Sequence, residues 1–223
     1  MVIKLNSEDK KIFEEIQYHL LNDSKPSEYI NKMLEEGKLN LYPFSMISDL
    51  KRVLQNPKYH PEGNTFNHVM MVVDQGVNYR HYSEDERVYM WSLLLHDIGK
   101  TPTTKLRKGR WTSYDHDRVG SDMAKEFLRN FNESEEFVQK VSALVKYHMN
   151  PLFIVKKLPF SDIEGLLKDT SLKEVALVSL SDRLGRGGLD KEKIDETKKS
   201  IKEFIHIVSA NNNIDEPQLS KML

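Results

Sequence analysis

WSLLLHDIGK, residues 91–100, joins an unbroken apolar run to an adjacent histidine and aspartate. Leu93 stands one helical turn before His96, so the imidazole continues the face that the leucines bury. A carboxylate set where such a helix ends loses its hydration, which is costly unless something replaces the water. A divalent cation does so, and an adjacent His–Asp pair can direct both groups into one pocket. The plainer alternative is a helix-end Asp97 beside a solvated His96. Gly99 and Pro102 stop the helix.

Outward from this stretch the arrangement repeats. His68 lies one turn before Val72, inside a helix expected from Asn64 or Thr65 to about Tyr82 with Val69, Val73 and Val77 on one side. Asp182 closes the run VALVSLS, one turn after Val178, where a cap or an ion pair with Arg183 is the ordinary alternative. His148 shares a face with Val141, Leu144 and Val145. His116 opens a helix in the string YDHD, where an exposed histidine between acids is the competing reading. Several metal-competent groups that end or punctuate apolar faces are hard to explain by core packing.

Two imidazoles and two carboxylates, His68, His96, Asp97 and Asp182, suit a borderline-to-hard divalent ion with open positions for water and phosphate oxygens. His116 and His148 are candidates for a second ion with Asp97 as bridge, or for a general acid and a phosphate donor. Lys100, Arg183 and Arg186 follow the acids closely and suit phosphate contacts. The basic loop Lys105, Arg107, Lys108 and Arg110 is either a solvated loop or a substrate-steering one.

Helical periodicity covers most of the chain. Ser7 caps a helix to about Leu21 with Ile12, Phe13, Ile16 and Leu20 inward, and Ser27 caps the next, which stops at Gly37. Short helices cover Pro43 to Leu54, and 56–64 is a loop. Ser83, Ser134, Ser161 and Ser171 are the expected caps of later helices, and a charged helix runs from Asp190 to about Ala210 before a polar, loose tail. A short hairpin around Gly109 is the one local exception. The class is all-α, a single helical bundle.

Composition narrows the chemistry. The 223 residues carry 39% hydrophobic and 30% charged side chains, enough to bury a substantial core. There are no cysteines, so any metal is held by His, Asp or Glu, which fits manganese, iron, nickel, cobalt, magnesium or zinc, as one or two ions. Lys and Arg total 33 against 34 acids, so a polyanion needs a local basic patch. No apolar run approaches the roughly 20 residues of a membrane helix, and the N-terminus turns polar too soon for a signal peptide. A cytoplasmic protein with no membrane partner is the expectation.

The ordered set His68, HDIGK at 96–100, His116, His148 and Asp182 resembles the HD-domain superfamily of metal-dependent phosphohydrolases. YHPEGNTFNH (59–68), LLHDIGKTPT (94–103), HDRVGS (116–121) and SDRLGRGG (181–188) are similar to the HD region of bacterial tRNA nucleotidyltransferases, the CCA-adding enzymes. The resemblance spans about residues 37–190. It implies a helical bundle with metal on His68, His96, Asp97 and Asp182, and it makes His116 and His148 additional pocket histidines. The chain lacks the Gly-Ser motif and paired aspartates of a nucleotidyltransferase head, so CCA addition is not expected.

The resulting division is an N-terminal helical extension at 1–60, an HD core at 61–190, and a C-terminal helix and tail at 191–223. The expected activity is hydrolysis of a nucleotide or RNA-related phosphate ester, with a 2′,3′-cyclic ester as one candidate. Asp97, Lys100, His116 and His148 would be catalytic, and Lys100, Arg183 and Arg186 substrate-binding. The partner is a small phosphorylated substrate or nucleotide, with RNA as a further candidate. The alternatives are an inactive nucleotide- or RNA-binding module, or a hydrolase of dNTPs, (p)ppGpp or dinucleoside polyphosphates. Oligomeric state is left open.

Overall fold

The apolar run ahead of His96 has no polar face, and a helix apolar all round must be enclosed by others. A computed structural model, which describes residues 6–218 and Leu223, shows how that is done. The chain begins with α1 (Ser7–Asn22) and α2 (Pro26–Glu35), then α3 (Ser45–Ser48), a 3₁₀ turn at Asp49–Arg52, α4 (Thr65–Val77) and α5 (Glu86–Leu95). A short α6 (Lys100–Thr103) leads into β1 (Thr104–Arg107) and β2 (Arg110–Ser113). There follow α7 (His116–Asn130), α8 (Glu135–Tyr147), α9 (Asn150–Val155), α10 (Ile163–Asp169), α11 (Leu172–Leu184) and α12 (Lys191–Asn212).

Helices α5 and α11 form the centre. Every residue from Val88 to Leu95 is buried, as is every residue from Glu174 to Asp182. α4 and α8 flank both central helices, α7 covers α8, α12 covers α11, and α1 and α2 close the side formed by α5 and α4. The apolar face expected of α1, Ile12, Phe13, Ile16 and Leu20, is the face it buries. Phe13 stacks on Trp91 at 4.5 Å between ring centroids, which ties α1 to the central helix.

Among the described residues the sheet is a single antiparallel hairpin, with Leu106 opposite Trp111. Lys108 and Gly109 both take positive φ at its turn, which matches the expected hairpin around Gly109. Among the described residues no helix is long and apolar enough to cross a membrane.

Several helix boundaries differ from the sequence expectation. α1 is capped by Asn6 in a reciprocal box with Asp9, not by Ser7. Ser27 lies inside α2 and donates its hydroxyl to Asp74 at 2.6 Å. Ser83 donates to Glu174 at 2.6 Å, which leaves Asp85 to cap α5. Asp162, not Ser161, caps α10. The α4 helix ends at Val77, and a 3₁₀ turn at Arg80–Tyr82 follows. Ser134, Ser171 and Asp190 cap α8, α11 and α12 as expected. The polar tail has no regular structure at 214–218, and residues 219–222 of it lie outside the described residues, as do 1–5.

Candidate metal centre

The site forms at the end of the bundle where α5, α8 and α11 stop and α4 and α7 begin. His96 is the C-cap of α5, His148 the C-cap of α8, and Asp182 sits in the last turn of α11. His68 lies in the first turn of α4, and His116 is the first residue of α7. Two glycines set the approach of these ends. A Cβ on Gly99 would collide with the His116 carbonyl oxygen and the Gly120 backbone nitrogen. A Cβ on Gly185 would stand 2.6 Å from Val72 Cα. Without a side chain at these two places α7 reaches the His–Asp pair and the end of α11 reaches α4.

The four expected ligands share one buried space. His68 Nε2 lies 3.0 Å from Asp182 Oδ1 and 3.9 Å from Asp97 Oδ2. His96 Nε2 lies 3.3 Å from Asp97 Oδ2 and 3.9 Å from Asp182 Oδ1. On the other side of the same carboxylate, Asp97 Oδ1 lies 3.5 Å from His116 Nε2 and 3.9 Å from His148 Nε2. Asp97 thus faces two groups of potential donors, one per oxygen.

The tautomers follow from what holds each ring. His96, His116 and His148 place Nδ1 at 2.8, 2.7 and 2.7 Å from the carbonyl oxygens of Leu93, Ser113 and Val145, three residues back in each case. A carbonyl oxygen only accepts, so the ring proton is on Nδ1 and Nε2 offers a lone pair to the centre. His116 Nε2 and His148 Nε2 then face each other at 3.3 Å as two acceptors, and His96 Nε2 is buried with no hydrogen-bond partner. Such a convergence is unfavourable unless a cation lies among the lone pairs. Protonating the rings is a poor substitute for the pair on α7 and α8. Burial holds His116 below the ordinary imidazole range and pushes His148 down to about 4, aided there by its histidine neighbours.

The carboxylates are kept ionised. Burial works against the charge on Asp97, but Lys100, His96 and His116 outweigh it and hold the group well below the usual carboxylate range. Asp182 is held down in the same way, against burial, by Arg186 and then His68. For His96, burial disfavours the imidazolium, and the adjacent Asp97 and Asp182 more than offset it, so its value rises. Imidazole nitrogens beside two ionised carboxylates are a donor set that divalent ions accept.

The basic residues divide. Lys100 Nζ sits 2.6 Å from Asp97 Oδ2 and donates to Gln55 at 2.8 Å. Arg186 Nη2 is 3.8 Å from Asp182 Oδ1. Arg183 turns from the centre to Ser200 on α12, to which it donates at 2.8 Å, and lines a neighbouring groove with Arg186. In the loop 105–110, Arg107 bonds Thr112 while Arg110 lines a cleft with Lys100.

His60 and Glu62 belong to the same region and were not singled out from sequence. Glu62 Oε1 lies 2.9 Å from Nδ1 of both His60 and His68, and the His60 and His68 rings meet edge to face at 4.8 Å. The loop that carries them is closed at its base by a bridge between Leu54 and Asn64. Its sequence signal was the histidine and acid two apart just before the α4 cap. No helical period runs through a loop, so apolar-face reasoning passes it by.

The family model for the HD domain matches residues 65–187, more than half of the chain. A multifunctional CCA protein of Pasteurella multocida is 25% identical over 189 residues, which are 81% of this chain and 44% of that protein. One from Haemophilus influenzae is 24% identical over 209 residues, 89% of this chain and 48% of its own. An A-adding tRNA nucleotidyltransferase of Deinococcus radiodurans is 34% identical over 90 residues, 37% of this chain and 20% of that protein. The chain spans less than half the length of these curated relatives.

Proposed function

The chain belongs to the HD-domain family, a superfamily of metal-dependent phosphohydrolases, and on that premise we propose that it hydrolyses a phosphate ester of a nucleotide or RNA-related molecule. The observation that carries the reading is the pair of facing imidazole nitrogens, His116 Nε2 and His148 Nε2, 3.3 Å apart with both ring protons engaged elsewhere. Together with the orphaned His96 Nε2, they describe a space built for cations. His68, His96, Asp97 and Asp182 hold one ion, and Asp97, His116 and His148 hold a second. A divalent ion held there supplies acidified water and charge neutralisation at a phosphoryl oxygen.

The protein's own groups do the rest. Lys100, anchored between Asp97 and Gln55, presents its ammonium where the cleft meets the centre and opposes charge that develops on the phosphoryl oxygens. Arg186 does so from the Asp182 side, and Arg183 acts at longer range from the adjoining groove. His116 is a ligand in this scheme and not the general acid, because its one proton is held on Nδ1 by the Ser113 carbonyl. In the net reaction water oxygen bonds to phosphorus, the phosphorus–oxygen ester bond breaks, and the leaving oxygen takes a proton. An RNA-related ester is favoured among substrates because relatives are named for CCA and tRNA nucleotidyl transfer.

The test is turnover of bis(p-nitrophenyl) phosphate, nucleoside 2′,3′-cyclic phosphates and a nucleotide panel after chelation and re-addition of manganese, cobalt or nickel. Metal-dependent turnover that disappears in Asp97→Ala, with helicity retained, is the expected result. Turnover unchanged in metal-stripped Asp97→Ala, or none with any ester and any metal, overturns the reading.

A further inference from the structure

Two clefts meet beside the centre, and their linings are unusual for a chain with balanced charge. One, of about 350 Å³, is lined by His60, Lys100 and His116, which border the centre, and by Tyr59, Arg110 and Trp111. The other, of about 300 Å³, adjoins it through the same Tyr59, Arg110 and Trp111 and adds Lys58. These volumes are in the range of small-ligand sites. Among the described residues no acid lines either cleft, whereas Arg110 lines both, Lys100 the first and Lys58 the second.

The aromatic rings stand apart from the hydrophobic core. Tyr59 is 55% exposed, with the Lys58 ammonium 5.5 Å from its ring centroid and no aromatic ring stacked on it among the described residues. Trp111 is half-buried on β2, while the other tryptophan, Trp91, is fully buried in the core. Two flat apolar surfaces held at the mouth of a basic, acid-free cleft match the recognition of nucleobases, where stacking supplies affinity and nearby cations track phosphate. The rings come from separate elements, the loop clamped by the Leu54–Asn64 bridge and the hairpin pinned between α6 and α7, so their spacing is set by the scaffold.

We propose that Tyr59 and Trp111 form a base-stacking subsite, with Arg110 and Lys58 beside it, that holds the nucleobase of the substrate while its phosphate reaches Lys100 and the metal centre. This inference rests on the phosphohydrolase reading for the place of the phosphate, but the stacking itself is a binding property and is measured without turnover.

The experiment is calorimetric titration of the full chain with AMP and with ribose 5-phosphate, in parallel with tryptophan fluorescence. AMP binds more tightly than ribose 5-phosphate and quenches the fluorescence, because Trp111 is the tryptophan in reach. Tyr59→Ala and Trp111→Leu each weaken AMP by about 5- to 150-fold, the range of one stacked base, and leave ribose 5-phosphate within about twofold. Tyr59→Phe retains AMP binding. A short RNA ending in a 3′-phosphate separates two sources of the base: tighter binding than AMP assigns a chain end, and equal binding a free nucleotide.

Equal affinity for AMP and ribose 5-phosphate, no binding of either, or equal weakening of both by Tyr59→Ala overturns the subsite. Turnover of base-free phosphodiesters with no base preference removes it and leaves the hydrolase standing. Base-dependent binding in a chain that turns over no ester keeps the subsite and removes the hydrolase.

Discussion

Glu62 and His68 meet at 2.9 Å, carboxylate Oε1 to imidazole Nδ1, at the start of α4. The contact is an ion-pair approach and not a hydrogen bond, whereas the same oxygen accepts from His60 at 2.9 Å. Burial raises the carboxyl of Glu62, but the two histidines outweigh it and hold the group well below its ordinary range, so it is an anion across the working pH. An anion behind the ring fixes its orientation and makes Nε2 a stronger donor, the usual outer partner of a metal-bound histidine. Glu62→Gln is therefore expected to lower metal affinity about 10- to 100-fold with the fold kept. Calorimetric titration of the chelated protein with manganese checks this, and an unchanged affinity removes Glu62 from the centre.

Gly99→Ala is expected to destabilise the protein. The added methyl meets the His116 carbonyl and the backbone of Gly120, neither of which can rotate aside as a side-chain tip can. Overpacking of this kind costs about 1–3 kcal/mol, read as a lower urea midpoint. Because α7 is pushed from α6, metal binding at His116 should weaken along with stability. A variant as stable as the parent would mean that α7 is free to shift, and that Gly99 does not set its approach.

What was legible in the sequence follows the helical period. His68, His96, Asp97, His148 and Asp182 all interrupt or end apolar faces, and the structure brings them together with His116. What was not legible lies in contacts between distant segments. Ser27 and Ser83 look like caps by local rule, yet their hydroxyls go to Asp74 and Glu174, 47 and 91 residues away, so that Asp85 caps α5 and α2 starts at Pro26 without a side-chain cap. Arg183 follows Asp182 in sequence, but one helical position turns it some 100° to face α12. The loop pair His60 and Glu62, and Trp111 on the hairpin, gave no period to read.

Metal stoichiometry should separate the two halves of the centre. With Asp97 facing His68, His96 and Asp182 through one region and His116 and His148 through its other oxygen, the parent is expected to hold two ions per chain. His148→Ala should hold one, since the first group keeps its donors, and Asp97→Ala should lose tight binding at both. Metal analysis after dialysis reads all three. A parent with one ion that His148→Ala leaves unchanged excludes the second position.

Glu174 gives a pH dependence remote from the centre. It is buried at the start of α11, where burial lifts its carboxyl above the ordinary value of 4.5, despite the bonds it accepts from Ser83 and the Glu84 backbone. The folded state therefore binds this proton more tightly than the unfolded chain. Stability from the group is complete below the unfolded value and declines as pH rises through the raised folded value, because the fold must then bury an anion. Glu174→Gln can keep one accepted bond through its amide oxygen and carries no charge to bury. The difference in Tm between Glu174→Gln and the parent should then shift in favour of the variant as pH rises from 4 to 7, by the equivalent of at most about 1.4 kcal/mol per pH unit. A difference that is flat across this range, or that moves toward the parent, means that Glu174 is as well solvated in the fold as in the unfolded chain.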